Sequence, residues 1–146
     1  MRGLSTLTPD IPVLSEESAD IPWEQRREWQ QYWLVDPLDG TKEFINRNGE
    51  FTVNVALIED GIPTIGVVSA PVVNCTWYAA AGAGAFRRRN ASHGEAIYTR
   101  VAPQPPVVVA SRSHRSDALQ SYLSELGPHE DISLSLIHIS EPTRQI

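Results

Sequence analysis

Residues 32–44 read YWLVDPLDGTKEF, and this stretch decides how we interpret the fold of the whole chain. Its first four residues, 32–35, are apolar and predict a buried strand. Pro37 restricts Asp36 to an extended conformation and removes one backbone donor, so we predict that the strand ends there. Asp36 is therefore expected at the end of a strand, beyond the apolar run.

The second half of this stretch predicts a turn followed by a helix. Asp39 and Gly40 are residues typical of a tight turn, and Thr41 is suited to open a helix that continues to Arg47. The free amides and the dipole of a helix N-terminus favour anions and do not call for more negative charge, so two carboxylates beside it are an odd pairing that leaves a conflict to explain. A divalent cation would resolve that conflict. The sequence therefore predicts a metal ion between the strand end and the helix start.

The candidate metal ligands are all hard oxygen atoms, which suit Mg2+ and disfavour zinc or copper. They are the carboxylates of Asp36 and Asp39 and the backbone carbonyl of Leu38 between them. Thr41 and the helix start are placed to hold a phosphate that the metal also contacts. These features predict a combined metal and phosphate site within one short segment.

The same segment carries a resemblance to a known family. The block WLVDPLDGTKEF at 33–44, with LSEES at 14–18, resembles the inositol monophosphatase superfamily, whose hallmark is an aspartate-proline-(Ile/Leu)-aspartate-glycine-threonine motif. Within that superfamily, the run NGEFTVN at 48–54 and the tetrad SRSH at 111–114 are similar to the 3'(2'),5'-bisphosphate nucleotidases. The resemblance covers about residues 4–127.

This resemblance implies a fold and a reaction. The implied fold is α/β, a layered sugar-phosphatase fold with an antiparallel meander sheet and the start of a second, incomplete α/β sheet. The implied reaction is Mg2+-dependent hydrolysis of the 3'-phosphate of adenosine 3',5'-bisphosphate to AMP and phosphate, with inhibition by lithium. The alternative within the superfamily is a phosphatase for inositol phosphates or other sugar phosphates.

The resemblance also implies roles for individual residues. Glu16 would be a metal ligand that helps to orient the attacking water, although residues 16–17 alone would be interpreted as a solvated acidic loop. The implied catalytic residues are Glu16, Asp36 and Thr41, and the implied metal ligands are Glu16, Asp36, Leu38 and Asp39. The implied substrate-binding residues are Glu16, Leu38, Asp39, Gly40, Thr41, Ser111, Arg112, Ser113 and His114.

The last four of these residues belong to a predicted strand-loop-helix unit. A β-branched strand at 107–110 precedes the loop at 111–114, and a helix follows at 116–126. Loops at the carboxyl ends of such strands bind ligands in α/β sheets, and this loop has donors for a nucleotide phosphate or sugar. The alternative is a helix N-cap with a surface arginine.

The remaining strands are predicted from alternation and turn residues. A turn at 59–61 predicts a hairpin, and the glycines at 82–84 indicate another turn in preference to a phosphate loop. The basic run at 87–89 is interpreted as a solvated loop. The predicted strands outside the central motif cover 11–15, 51–58, 62–70, 75–81 and 98–101, and the three at 51–58, 62–70 and 75–81 are predicted to form an antiparallel meander.

Composition limits the possible partners and the location. A net charge of -6 over 146 residues argues against duplex nucleic acid, although bound cations would allow a small phosphorylated nucleotide as substrate. The single cysteine, Cys75, excludes an internal disulfide and is predicted to be a buried structural thiol. No signal peptide or membrane span is evident, so we predict a cytoplasmic protein, with association at the inner face of the membrane as the alternative. The oligomeric state stays open.

We divide the chain into three parts. Residues 1–103 are predicted to form the metal-binding antiparallel-sheet part, and 104–133 the start of the second α/β part. Residues 134–146 resemble the translation of a sequencing adapter, so His138 is excluded as a catalytic residue. An alternative from a different functional class is that the chain is a non-catalytic fragment. The reason is that an upstream aspartate segment and a downstream aspartate ligand of the family are not found. We therefore expect residues 1–146 alone to show no phosphatase activity.

Overall fold

The computed structural model describes residues 2–18, 21–90, 92–111 and 117–134. The chain forms two compact units, Met1–Ile97 and Tyr98–Ile146. The helices are α1 at Arg2–Leu7, α2 at Trp23–Arg26, α3 at Thr41–Ile45 and α4 at Asp117–Leu126, with a 3-10 helix at Glu16–Ser18. The strands are β1 at Val13–Ser15, β2 at Gln31–Asp39, β3 at Thr52–Glu59, β4 at Ile62–Ala70, β5 at Cys75–Ala80, β6 at Gly84–Arg89, β7 at Glu95–Ile97, β8 at Val107–Ser111 and β9 at Glu130–Leu134.

The first unit is built around one sheet whose seven strands follow chain order from β1 to β7. Strands β2 to β7 form an antiparallel meander, which confirms the predicted sheet. The predicted hairpin between β3 and β4 is also present, with Asp60 and Gly61 at φ values of 50° and 78°. Strand β1 differs, because it pairs with β2 in parallel.

The core of this unit lies on the central strands. The buried apolar residues of the sheet are Val35, Leu57, Ile58, Ala70, Cys75 and Trp77. Cys75 is 2% exposed, which confirms the prediction of a buried thiol. In an antiparallel pair, directly opposed residues project from the same face. Successive pairs therefore place Asp36, Asn54, Val68 and Trp77 in one row across one face, so the candidate site borders the core.

The prediction that the central strand ends at Asp36 is wrong. Strand β2 continues through Pro37 to Asp39, and its register with β3 shifts between Asp36 and Asp39. Asp36 pairs with Asn54, and Asp39 resumes the ladder opposite Thr52. A bulge leaves residues out of the hydrogen-bonding pattern, so a proline without an amide proton is tolerated inside it.

The predicted helix at 41–47 is present but shorter than expected. It begins at Thr41 and ends at Ile45, with Asn46 as its C-cap. Arg47 follows with a positive φ of 54°, which is outside the range of a right-handed helix. Phe44 makes an edge-on contact with Phe51, with ring centroids 5.1 Å apart. This contact ties the short helix to the segment that leads into β3.

Two further predictions about the sheet are corrected. Residues 87–89 lie on β6 and not in a loop, because they pair with β5 and because the Arg87 guanidinium lies 3.1 Å from the Glu95 carboxylate on β7. The last strand of the meander is Glu95–Ile97, and residues 98–101 lie outside it. Tyr98 and Val101 are 86% and 93% exposed, so their β-forming side chains gain little from packing against the described residues.

The second unit contains the predicted strand and helix. Strand β8 is followed by α4, and the five residues of β9 then pair with β8 in parallel. The sequence pattern does not predict β9, and its last residue, Leu134, falls within the predicted tail at 134–146. Residues 112–116 and 135–146 lie outside the part of the chain that the structure describes, and the division of the chain at residue 103 stays a prediction. Among the described residues, no helix is long and apolar enough to cross a membrane.

Candidate metal and phosphate site

The candidate site begins where the parallel pairing of β1 with β2 ends. Ser15 pairs with Val35 at the end of the β1–β2 ladder, and the next residues along the chain are Glu16 and Asp36. Parallel strands bring their carboxyl ends to the same edge of a sheet. The pairing therefore delivers both acidic residues to one edge, although they are twenty positions apart in the sequence.

The bulge in β2 is closed by Asp36 itself. The backbone amide of Leu38 donates a hydrogen bond of 3.1 Å to Asp36 Oδ1. Such a bond from an aspartate to an amide two residues later is a common way to hold a turn. It restrains the Asp36 side chain and uses one of its two carboxylate oxygens.

Asp39 carries a charge that its surroundings do not favour. Burial raises the pKa of the Asp39 carboxyl above its ordinary value of 3.8, and repulsion from Asp36 raises it further. A hydrogen bond of 2.9 Å from Asn54 Nδ2 to Asp39 Oδ2 opposes this shift, and Glu43 adds a smaller repulsion. A cation beside Asp36 and Asp39 would relieve this repulsion, so the donor set fits a positively charged ligand.

Gly40 joins the two acidic residues to the helix. It is the N-cap of α3, with φ 95° and ψ 45°, a left-handed conformation that glycine adopts without steric cost. A Cβ atom placed there would lie 3.0 Å from the backbone oxygen of Glu50. Thr41 is the first residue of α3, and its hydroxyl donates to the Leu38 carbonyl over 3.4 Å. The predicted helix start at Thr41 is therefore confirmed, whereas Asp39, predicted in a tight turn, is the last residue of β2.

The structure brings five of the predicted site residues into one segment, namely Asp36, Leu38, Asp39, Gly40 and Thr41. Among the described residues, no group of three or more His, Cys, Asp or Glu side chains is close enough to hold a metal ion. The role of Glu16 as a third acidic ligand thus stays a prediction. Ser111 is the last residue of β8 in the second unit, and Arg112, Ser113 and His114 lie outside the described residues.

Sequence reasoning missed Asn54 as a residue of this site. The signal was available, because an asparagine between two valines of a strand is unfavourable for β-structure. Its partner could not be deduced, since the contact with Asp39 depends on the register of β3 against the bulged end of β2.

The unfavourable charge on Asp39 leads to a prediction about the metal-free protein. The folded state binds the Asp39 proton more tightly than the unfolded state, so this residue lowers stability as the pH rises above 3.8 and through its raised pKa. We expect Asp39→Asn, in EDTA at pH 7, to unfold at a higher urea concentration than the wild type. The difference should shrink as the pH is lowered towards 4. A lower urea midpoint for the variant at pH 7 would contradict this.

The fold and the acidic turn, by which we mean residues 36–41, define a class of protein. Comparison with known sequences agrees. Residues 1–133 match the sequence model of the inositol monophosphatase family. The chain therefore belongs to the inositol monophosphatase family. This confirms the resemblance carried by residues 33–44.

Two individual relatives give a more specific match than the family as a whole. The chain is 57% identical over 134 residues to the 3'(2'),5'-bisphosphate nucleotidase CysQ of Salmonella typhimurium, covering 92% of this chain and 53% of that protein. The crystal structure of CysQ from Bacteroides thetaiotaomicron superimposes with a TM-score of 0.78 at 34% identity, over 92% of this chain and 56% of that one. The chain thus spans about half the length of these relatives.

A more distant solved structure is also similar. It is an IMPase/NADP phosphatase complexed with Mg2+ and phosphate, with a TM-score of 0.53 and 26% identity, covering 59% of this chain and 32% of that one.

Proposed function

We propose that the protein containing this chain is a Mg2+-dependent phosphomonoesterase that hydrolyses the 3'-phosphate of adenosine 3',5'-bisphosphate, producing AMP and phosphate. The observation that carries the proposal is the bulged segment that holds Asp36, Leu38 and Asp39 beside the start of α3. The relatives named as CysQ support the substrate, and the neighbour with Mg2+ and phosphate supports the metal.

The residues present fit a divalent metal. Asp36, the Leu38 carbonyl and Asp39 offer only oxygen atoms, as Mg2+ prefers, and Glu16 follows the strand that ends beside Asp36. These four residues would hold the ion. When bound, the metal would lower the pKa of a water molecule and neutralise charge on the leaving oxygen.

The chain's own residues would orient the reactants. The Leu38 amide restrains Asp36, and the bulge holds Asp36 and Asp39 in one turn. Glu16 and the Thr41 hydroxyl would position the attacking water against phosphorus. The backbone amides that begin α3 would donate to the phosphate oxygens, because the first amides of a helix have no partner within it. No covalent phosphoenzyme is required.

The same proposal includes a cytoplasmic location and a role in sulfur metabolism, where adenosine 3',5'-bisphosphate is a by-product of sulfate assimilation. It also includes the division of the chain into a metal-binding part at 1–103 and the start of a nucleotide-binding part at 104–133. Ser111, Arg112, Ser113 and His114 would contact the nucleotide.

The direct test is an assay of phosphate release by a full-length protein that contains this chain. Adenosine 3',5'-bisphosphate should be hydrolysed in Mg2+, with the activity removed by EDTA and inhibited by lithium. Inositol 1-phosphate in a parallel assay tests the alternative within the family. Faster turnover of inositol 1-phosphate would replace the proposed substrate, and activity that persists in EDTA would disprove the metal mechanism.

The loop at 111–114, which would contact the nucleotide, leads to a prediction about substrate choice. If Arg112 and His114 bind the nucleotide phosphate or sugar, replacing both by alanine removes charge-assisted hydrogen bonds worth about 1.5–3 kcal/mol each. We expect kcat/KM for adenosine 3',5'-bisphosphate to fall at least about 100-fold, since 1.4 kcal/mol is a factor of ten.

Turnover of inositol 1-phosphate by the same double variant provides the control, because that substrate has no nucleotide for the loop to contact. Its kcat/KM should change by less than about threefold, the size of a minor surface effect on this scale. Equal losses on both substrates would indicate that the loop has a structural role.

A further inference from the structure

Asn54 makes an unusual contact beside the acidic turn. It lies on β3 directly opposite Asp36, and its side-chain amide reaches along the bulge to donate a hydrogen bond of 2.9 Å to Asp39 Oδ2. Asn54 is therefore paired through its backbone position with Asp36 and bonded through its side chain to Asp39. Since a carboxylate without a proton only accepts hydrogen bonds, the contact also determines which end of the Asn54 amide faces Asp39.

Strand stability does not account for an asparagine at this position. Asparagine is depleted in strands, and both chain neighbours of Asn54 are valines. The other side-chain atom, Asn54 Oδ1, is buried and has no hydrogen-bond partner among the described residues. A buried acceptor without a partner costs about 1–3 kcal/mol, so the side chain is unfavourable for the metal-free fold.

The opposite end of the same two strands provides a comparison. There Gln31 on β2 donates a hydrogen bond of 2.6 Å to Glu59 on β3, again an amide to a carboxylate across the β2–β3 pair. That contact lies far along the ladder from the bulge and involves none of the candidate ligands. It is therefore a matched contact with the same chemistry and no connection to the site.

We propose that Asn54 is a positioning residue for the metal site. By donating to Asp39 Oδ2, it restrains the carboxylate and leaves Oδ1 available for the cation. An aspartate at position 54 could not donate in this way and would add a third negative charge. This inference rests on the proposed function, because it assigns Asn54 a role toward the metal that Asp36 and Asp39 would hold.

The variant Asn54→Leu separates this role from a structural one. Leucine has nearly the shape of asparagine, lacks the donor, and removes the buried oxygen without a partner. Loss of the hydrogen bond to Asp39 lowers stability, whereas loss of the buried oxygen without a partner raises it, so we expect the melting temperature in EDTA to change little. The affinity for Mg2+ should fall at least about 10-fold, as is usual when a residue that orients a metal ligand is removed. A structural role would lower both quantities together.

The experiment uses the full-length protein and titrates Mg2+ alone by calorimetry, with the melting temperature in EDTA measured on the same samples. Gln31→Leu is the control and should leave Mg2+ affinity unchanged. Asn54→Ala serves as a second variant if leucine does not fold. Mg2+ affinity within threefold of the wild type in the folded Asn54 variant would disprove the inference alone. If the wild type itself binds no Mg2+, the proposed function fails as well.

Discussion

Replacing Asp36 or Asp39 by asparagine is expected to reduce phosphate release from adenosine 3',5'-bisphosphate by at least about 1,000-fold in the full-length protein, equivalent to about 4 kcal/mol of the activation barrier. Each change keeps the size of the side chain and removes one negative charge that the proposed cation requires. The fold should persist, because burial and repulsion from Asp36 disfavour the charged Asp39 carboxylate when no cation is present. Either substitution removes that repulsion. The activity is measured at saturating Mg2+.

Glu59→Gln is the matched control for these two variants. Glu59 is a carboxylate on the neighbouring strand β3, and it also accepts a hydrogen bond from a side-chain amide, that of Gln31. It lies at the far end of the β2–β3 ladder, so its loss should leave turnover within about threefold of the wild type, as for ordinary surface substitutions. Near-normal turnover by Asp36→Asn or Asp39→Asn would disprove the metal assignment.

Gly40→Ala is expected to have the second largest effect, on stability and on activity together. Alanine at φ 95° is strained, which costs about 1–3 kcal/mol, and its Cβ would lie 3.0 Å from the backbone oxygen of Glu50. Backbone cannot move away as a flexible side chain can, so we expect a total loss of at least about 2 kcal/mol in the free energy of unfolding. Any backbone shift that relieves this contact would also displace Asp39 and Thr41. Misplacement by about 1 Å costs about 100-fold in rate.

Gly61→Ala separates the steric clash from the backbone strain. Gly61 has a similar φ of 78° in the hairpin between β3 and β4, but no atom lies within 4 Å of a Cβ atom placed there. It should lose only the strain energy and keep full activity. Urea unfolding and turnover of both variants are compared. If Gly40→Ala is no less stable and no less active than Gly61→Ala, the close approach of Glu50 does not shape the site.

The acidic turn could be predicted because its geometry is set by neighbouring residues. Pro37 restricts Asp36, Gly40 allows the left-handed turn, and the helix begins at Thr41 as predicted. The family resemblance rests on the same residues and is confirmed by the match over 1–133. Where the prediction failed, at the end of β2, the local rule for proline was correct, but the bulge let the strand continue.

The sequence by itself determined the alternation of the meander strands, the hairpin at Asp60 and Gly61, and the order of groups in the acidic turn, because these depend on contacts within a few residues. Only the tertiary structure decided which distant residues join them. Parallel pairing of β1 with β2 carries Glu16 to the edge where Asp36 emerges, and the shifted register places Asn54 against Asp39. Strand register is selected by burial over the whole sheet, and no local pattern contains that information.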